Sequence, residues 1–294
     1  IERQKALERL EKEFERELIH NYQLALKELR ARIAFIYEKY DGDWVEMNRY
    51  NRFTKLEKEI AEEIRKLTGK NAQTLIRGMM DSYEQSYYLT AYVLTNIVEA
   101  DLGFTYLDRE LVRKSIENPL DKIGFLQRNR DNQALLTRQL RENLTQSFIL
   151  GESYRSAAKR IKNRMDVGAT NVLRIARTEM HRVRHQAQYE SMLEGEKRGI
   201  TLSRTWLSAV DSRTRHSHAM ADGQTVKLDK PYEVNGEKLM YPGDPAGSPE
   251  NIINCRCTEL ENVEGFKPKY RRVKGIGITS YRTFEEFKKQ GLVH

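Results

Sequence analysis

The expected architecture follows first from residues 7–36, LERLEKEFERELIHNYQLALKELRARIAFI. Its apolar residues recur about every 3.6 positions, which is the period of an amphipathic α-helix. No proline interrupts the first 118 residues, so nothing in them forbids a long helix. The stretch therefore predicts long N-terminal helices that bury one apolar stripe. The stripe consists of Leu7, Leu10, Phe14, Leu18, Tyr22, Ala25, Leu29, Ile33 and Ile36.

Glycines and turn residues mark the expected ends of the later helices. Gly69 is expected to end a second helix, and Gly151 and Gly168 are expected to divide the middle of the chain into three helices. Beyond residue 200, the pair Asn235-Gly236 predicts the tip of a β-hairpin. The pattern predicts a mainly α fold with long N-terminal helices, a helical middle and a small α+β C-terminal subdomain.

Four segments follow from these patterns. They are a helical N-terminal arm at 1–118, a basic helical region at 119–200, a small α+β subdomain at 201–260 and a C-terminal tail at 261–294.

Composition excludes several classes of protein. Of the 294 residues, 39% are hydrophobic and 32% charged. No apolar run approaches the roughly 20 residues of a membrane helix, so we expect no membrane-spanning segment. The two cysteines are separated by one residue, too close for an unstrained disulfide, which favours a reducing compartment. No secretory signal is visible, and because the chain begins at Ile1 we expect further residues to precede it in the translated product.

Positive charge is concentrated in the middle of the chain. The net charge is +8, and residues 119–200 hold 16 Lys and Arg against 9 Asp and Glu. Such a surplus favours non-specific contact with the phosphates of double-stranded DNA, although a solvated helix face has the same composition. A helix-turn-helix with base-reading side chains is a further alternative. The predicted phosphate contacts are Arg155, Lys159, Arg160, Lys162 and Arg164.

The candidate site combines Asp211, His216 and His218 with Asn254, Cys255 and Cys257. His-Ser-His and Cys-Arg-Cys alternate with period two, so an extended backbone would point each pair to one side. Imidazoles and thiolates are zinc ligands, so a structural zinc ion is the one cofactor that these residue types allow. We predict a hydrogen-bonded clasp without a cofactor, in which the cysteines act as small buried hydrophobes, and a structural zinc ion is the alternative. The candidate metal ligands are His218, Cys255 and Cys257.

Enzymatic interpretations have less support. A metal-dependent nuclease centred on Asp211 and His218, with His216 nearby, would need more converging carboxylates. Arg177-Thr178-Glu179 superficially resembles the Arg and Glu elements of ADP-ribosyltransferases, but it lies in a helical stripe, so we interpret it as a polar helix edge. Nucleotide-binding glycine loops and a Gly-x-Ser-x-Gly motif do not occur in the sequence. We therefore predict a protein that is not an enzyme.

The order of motifs in residues 130–260 resembles a known family. Ile175-Ala176-Arg177-Thr178-Glu179 is followed by Trp206, by Asp211-Ser212-Arg213-Thr214-Arg215, by Tyr241-Pro242-Gly243-Asp244-Pro245 and by Asn254-Cys255-Arg256-Cys257. This order is similar to that of the phage Mu F-like, SPP1-type minor head proteins, also called head morphogenesis proteins. The set that we predict to form a structural clasp is Arg177, Glu179, Trp206, Asp211, His218, Asn254, Cys255 and Cys257.

The resemblance implies a function that composition does not. It implies a minor capsid protein of a tailed phage, made in the host cytoplasm and located in the virion interior. Its implied partners are the portal protein and DNA, with scaffold and major capsid proteins as further candidates; self-association through the N-terminal helices is suggested by their shape alone. Many relatives resemble a zinc ribbon here, with Cys-x-x-Cys where this chain has Arg215 and His218, so the zinc ligand set departs from the family pattern.

Overall fold

The computed structural model describes residues 2–40, 43–48, 51–99, 102–104, 107–117, 124–266, 270–273 and 277–280. In this part the chain is mainly helical with a small β region after residue 200, which confirms the predicted fold class. None of its helices combines the length and apolarity that crossing a membrane requires. The helices are α1 (Glu2–Tyr40), α2 (Trp44–Asn48), α3 (Arg52–Val98), α4 (Arg109–Glu117), α5 (Phe125–Ile149), α6 (Tyr154–Lys197), α7 (His216–Met220) and α8 (Pro249–Ile252). The strands are β1 (Leu202–Leu207), β2 (Thr225–Lys227), β3 (Tyr232–Val234), β4 (Glu237–Leu239), β5 (Thr258–Val263), β6 (Tyr270–Val273) and β7 (Gly277–Ser280).

Helix α1 follows the predicted stripe. Seven of its nine stripe positions are buried, and only Leu10 and Ile36 are half-buried. The helix ends at Tyr40, and α2 then begins after Asp43, whose carboxylate accepts hydrogen bonds from the backbone N–H groups of Val45 and Glu46. Asp43 is therefore the N-cap of the next helix.

Two of the predicted helix ends are wrong. Helix α3 continues through Gly69, and α6 continues through Gly168 and past Thr170. A Cβ atom at Gly168 would lie 3.0 Å from side-chain atoms of both Leu136 and Tyr22, so this glycine permits close helix packing instead of ending a helix. The prediction at Gly151 is confirmed, because α5 ends at Ile149 and Gly151 adopts a left-handed φ of +59°.

The chain forms two compact units, each assembled from separate stretches. One contains residues 12–77 and 123–176 and is wholly helical where described. Its apolar interior is built from α1, α3, α5 and α6, and a buried polar cluster joins three of these helices. In that cluster the Asn132 amide donates to the Tyr22 hydroxyl and to the Gly168 carbonyl, each at 3.1 Å.

The other unit contains residues 1–11, 78–122 and 177–294 and includes every described strand. Antiparallel β2, β1 and β5 form a three-stranded sheet in that order. Strands β3 and β4 form the predicted hairpin, with Asn235 and Gly236 both at positive φ. One core cluster consists of Trp206, Ala221, Tyr232, Val234, Leu239, Cys255 and Cys257.

The four segments predicted along the sequence stay a prediction. In the predicted tail, the described parts beyond β5 are residues 264–266 and the antiparallel pair β6 and β7. The remainder of 261–294 lies outside the described residues.

Candidate functional site

His218, Cys255 and Cys257 meet in the interior of the sheet-containing unit. The His218 Nδ1 atom lies 3.2 Å from the Cys257 Sγ atom and 3.6 Å from the Cys255 Sγ atom. All three residues are buried, and their ligand atoms lie within 4.8 Å of one another. The extended segment before β5 points both thiols inward, as the Cys-Arg-Cys alternation predicts. The structure thus brings together the three candidate metal ligands.

The two thiols ionise in unequal steps. The pKa of Cys255 is lowered well below its ordinary value, chiefly by a hydrogen bond from Cys257, with His181 and His218 acting in the same direction. The pKa of Cys257 is raised well above its ordinary value by the neighbouring Cys255 and by burial. One of the two thiols therefore loses its proton readily. Removal of the second proton is unfavourable unless a cation is bound nearby.

Asp211 forms an ion pair with Arg256, the residue between the two cysteines. Both carboxylate oxygens of Asp211 accept hydrogen bonds from the Arg256 guanidinium, one at 2.6 Å. The same carboxylate accepts from the backbone N–H of Arg213 and the hydroxyl of Thr214. The Arg256 contact, supported by these bonds, holds the pKa of Asp211 well below its ordinary value. Asp211 therefore stabilises the connection between β1 and α7 as a fixed anion.

Two loops of this unit contact α6. The Asn254 backbone N–H donates to the Thr178 hydroxyl at 3.3 Å, and Asn254 adopts a positive φ of 55°. Gly243 has a φ of +85°, and a Cβ atom there would lie 3.1 Å from the ring of His181 and 3.4 Å from the Arg182 Cα atom. A glycine is required because the 241–245 turn lies directly against the α6 backbone.

Glu179 and Arg177 differ in how far they are buried. Glu179 is buried and pairs with Arg182 at 2.9 Å, whereas Arg177 is exposed. The helical placement predicted for both is confirmed, but the interpretation of Glu179 as a polar edge is wrong. Its carboxylate is accommodated in the interior because the Arg182 guanidinium provides the opposite charge.

Sequence reasoning missed a buried cation next to Trp206. Arg204 in β1 is fully buried and pairs with Glu259 of β5 at 3.4 Å. Its guanidinium also donates to the carbonyls of Leu228, Lys230 and Met240. The signal that could have identified it is an arginine at position 204, on the same strand face as the apolar residues Leu202 and Trp206.

The histidine prediction needs one correction. His216 and His218 lie in helix α7, so the extended period-two arrangement does not apply, and His216 is exposed while His218 is buried. A different histidine lies in the interior. His181 of α6 is 9% exposed, and its ring centroid lies 4.6 Å from that of His185. The spacing of four between these two histidines, which places them on one helix face, is the signal that could have identified them.

The five basic residues predicted to contact DNA all lie near the start of α6. Arg155 and Lys159 are exposed and make no ion pair among the described residues, and Arg164 is half-buried. Arg160 pairs with Glu152 at 2.6 Å, and Lys162 pairs with Asp166 at 2.5 Å. Two of the five charges are therefore already neutralised within the chain.

Comparison with known proteins gives three findings. Residues 138–260 match the family model described as Phage Mu protein F like protein. The minor head protein GP7 of Bacillus phage SPP1 is 25% identical over 275 residues, which cover 90% of this chain and 88% of that protein. The NAD(+)–arginine ADP-ribosyltransferase EFV of Enterococcus faecalis (strain ATCC 700802 / V583) is 25% identical over 297 residues, which cover 97% of this chain.

This chain covers 59% of the length of the Enterococcus protein. No solved structure matches the chain. The predicted resemblance to the phage Mu F-like head morphogenesis family is confirmed.

Proposed function

We propose that this chain, whose residues 138–260 match the model of the Phage Mu protein F like family, is a minor capsid protein of a tailed phage. In this proposal it docks on the portal inside the procapsid and contacts double-stranded DNA, aiding head assembly and DNA packaging or ejection. The observation that most strongly supports this proposal is the match to the SPP1 minor head protein over 90% of this chain. That similarity extends into the N-terminal helices, which the family model does not cover.

Exposed apolar side chains in the helical unit support docking onto a protein partner. We call Phe35, Ile149 and Leu150 the apolar tip; they are 57%, 58% and 65% exposed. Phe35 lies near the end of α1, and Ile149 and Leu150 lie at the end of α5. These two helix ends are in contact, because the ring of Tyr37 stacks on that of Phe148 with centroids 5.6 Å apart. Exposed apolar side chains at these two helix ends support contact with a protein partner in this proposal.

Binding to the isolated portal ring of the same phage tests this assignment. We expect the double variant Ile149→Ser/Leu150→Ser to bind the ring at least about 10-fold more weakly, since about 1.4 kcal/mol of lost apolar contact gives that factor. Val167→Ser is the matched control, because Val167 is an apolar residue of α6 that is 46% exposed. Equal loss in both variants, or no loss in either, would argue against the apolar tip.

DNA contact is assigned to α6. Arg155 and Lys159 are one helical turn apart and exposed, so both can reach phosphate oxygens of the same backbone. Arg160 and Lys162 contribute less to this proposal, because each has a carboxylate partner. Contacts of this kind position the protein on DNA without reading its sequence.

The salt dependence of DNA binding measures the number of phosphates contacted. For Arg155→Glu/Lys159→Glu we expect weaker binding and a log–log salt slope smaller by roughly 1.8, from about 0.9 for each of two phosphates. Lys66→Glu/Lys70→Glu is the control, since it makes the same charge change at the same spacing on exposed positions of α3. A flat salt response in the unmodified protein, or an equal effect of both pairs, contradicts the assignment.

The proposal includes no catalytic step. A nuclease centred on Asp211 and His218 has little support, because Asp211 is held by Arg256 and His218 is 1% exposed and faces two thiols. An ADP-ribosyltransferase alternative rests on the name of one relative, and this chain covers only 59% of that protein's length. In this chain Glu179 lies in a helix and is paired with Arg182. Both carboxylates are engaged by arginines, which supports a role without catalysis in this proposal.

Two assays test the absence of catalysis. The purified protein is incubated with labelled NAD+ and arginine-containing proteins, and separately with plasmid DNA and Mg²⁺, Mn²⁺ or Zn²⁺. We expect no label transfer and no strand cleavage. Activity that Glu179→Gln or Asp211→Asn abolishes, while the melting temperature is unchanged, would replace this proposal by an enzymatic one.

A further inference from the structure

The cluster of His218, Cys255 and Cys257 has the dimensions of a tetrahedral metal site. With metal–nitrogen and metal–sulfur bonds of about 2.1 and 2.3 Å, tetrahedral geometry places the N and S atoms about 3.6 Å apart. The two observed distances from His218 Nδ1 to sulfur are 3.2 and 3.6 Å. The three ligand atoms therefore already stand close to the separations that a bound ion requires.

A fourth candidate ligand comes from helix α6. His181 lies outside the group of three, whose ligand atoms are within 4.8 Å of one another. It lies on the face of α6 that contacts the cysteine segment, because the backbone N–H of Asn254, the residue before Cys255, donates to the hydroxyl of Thr178, three residues before His181. Its Nε2 atom is buried and makes no hydrogen bond to the described residues. An unpaired buried ring nitrogen has a free energy cost, which coordination to a metal ion would remove. The 241–245 turn limits the movement of this ring, since Gly243 lies directly against it.

We infer that His181, His218, Cys255 and Cys257 bind one divalent ion of the zinc type, with the two thiolates and the two imidazoles as its ligands. Nitrogen and sulfur donors select zinc over magnesium or calcium, which prefer oxygen. The site is closed by protein ligands, so its role is structural and not catalytic. It joins three elements that lie far apart in sequence: α6, α7 and the segment that leads into β5.

This set differs from the one that sequence spacing suggests. His216 and His218 form the evident pair in the sequence, but His216 points to solvent. His181 is 37 residues upstream of His218 and is brought to the cysteines by packing of the sheet-containing unit on the second half of α6. The set is therefore a property of the fold of this unit.

Metal content and cobalt spectroscopy test the inference on the full chain. The untagged protein is purified under reducing conditions, exchanged into buffer with Zn²⁺ or Co²⁺, and freed of unbound ion. We expect about one ion per chain and, with Co²⁺, the intense visible bands of a tetrahedral site together with sulfur-to-metal charge transfer in the near ultraviolet. A chelator should remove the ion and lower the melting temperature of the unmodified protein.

Variants locate the ligands. Cys257→Ser and His181→Ala should each lose the tetrahedral cobalt spectrum, while His216→Ala, an exposed histidine of the same helix as His218, should keep it. Circular dichroism of each variant at low temperature shows whether it is folded, and the chelator experiment on the unmodified protein does not depend on any variant. Metal content at background level in the unmodified protein, with no chelator effect, overturns the inference and leaves a metal-free hydrogen-bonded cluster. A full tetrahedral spectrum in His181→Ala overturns the assignment of the fourth ligand.

Discussion

Replacing Arg204 by methionine is expected to destabilise the sheet-containing unit severely. Arg204 and Glu259 are both fully buried, so the substitution leaves a carboxylate in the interior without its cation. Breaking a buried ion pair in this way costs about 3–5 kcal/mol. It also removes the donor to three backbone carbonyls, those of Leu228, Lys230 and Met240. Since a domain has only about 5–15 kcal/mol of stability, the loss is large enough to measure directly.

A double-mutant cycle separates the ion pair from general loss of packing. The four proteins carry Arg204→Met, Glu259→Gln, both or neither, in a background with Trp44→Phe so that Trp206 is the only tryptophan. Urea unfolding followed by fluorescence then reports on the unit that contains Trp206. We expect the double variant to be more stable than the sum of the single losses predicts, with a coupling free energy of about 2 kcal/mol or more.

The control for this cycle is Lys227→Met in β2, which makes the same type of substitution at an exposed position of the same sheet. It should change the free energy of unfolding by at most about 0.5 kcal/mol. A loss of under about 1 kcal/mol for Arg204→Met, or strict additivity in the cycle, would refute the reasoning that Arg204 neutralises Glu259.

Two further predictions concern the contacts around the cluster. Arg256 lowers the pKa of Asp211 in the folded state, so the ionised carboxylate stabilises the fold at pH values above the unfolded pKa of about 3.9, and this stabilisation is lost as the pH falls below that value. The melting temperature of Asp211→Asn should therefore depend less on pH between about pH 5 and pH 2 than that of the unmodified protein. An unchanged pH profile would contradict this role. Gly243→Ala should lower the free energy of unfolding more than Gly236→Ala does. Both glycines have a positive φ, which costs an alanine about 1–3 kcal/mol, but of the two only a Cβ atom at position 243 would meet other atoms within 4 Å. Equal losses would show that the turn can move away from α6.

Local patterns in the sequence predict the helices well but not their lengths. Seven of the nine residues of the α1 stripe are buried as the 3.6-residue period requires, because that period acts within one helix. Gly69 and Gly168 were expected to end helices, yet α3 and α6 continue through both. The intrinsic cost of a glycine in a helix, about 1 kcal/mol, is smaller than the gain from burying the neighbouring apolar residues. Gly168 is in addition required by the close approach of Tyr22 and Leu136, which no local pattern shows.

The candidate site was predictable where its members are close in sequence. Cys255 and Cys257 share a strand-like segment, and alternation correctly places both inside. Alternation did not place the histidines correctly, because α7 is helical and because His181 is brought to the cluster only by tertiary packing. Arg204 was missed for a similar reason, since its buried partner Glu259 lies 55 residues later on the neighbouring strand. Contacts of this range depend on strand pairing, which local periodicity does not determine.

The most direct test of the proposed function is incorporation into procapsids assembled with and without the portal protein. Procapsids are purified before DNA packaging, and the chain is quantified in each by mass spectrometry. We expect a few copies per particle when the portal is present and background levels when it is omitted. Equal incorporation without the portal, or no incorporation in either case, would contradict a portal-docked protein of the phage head.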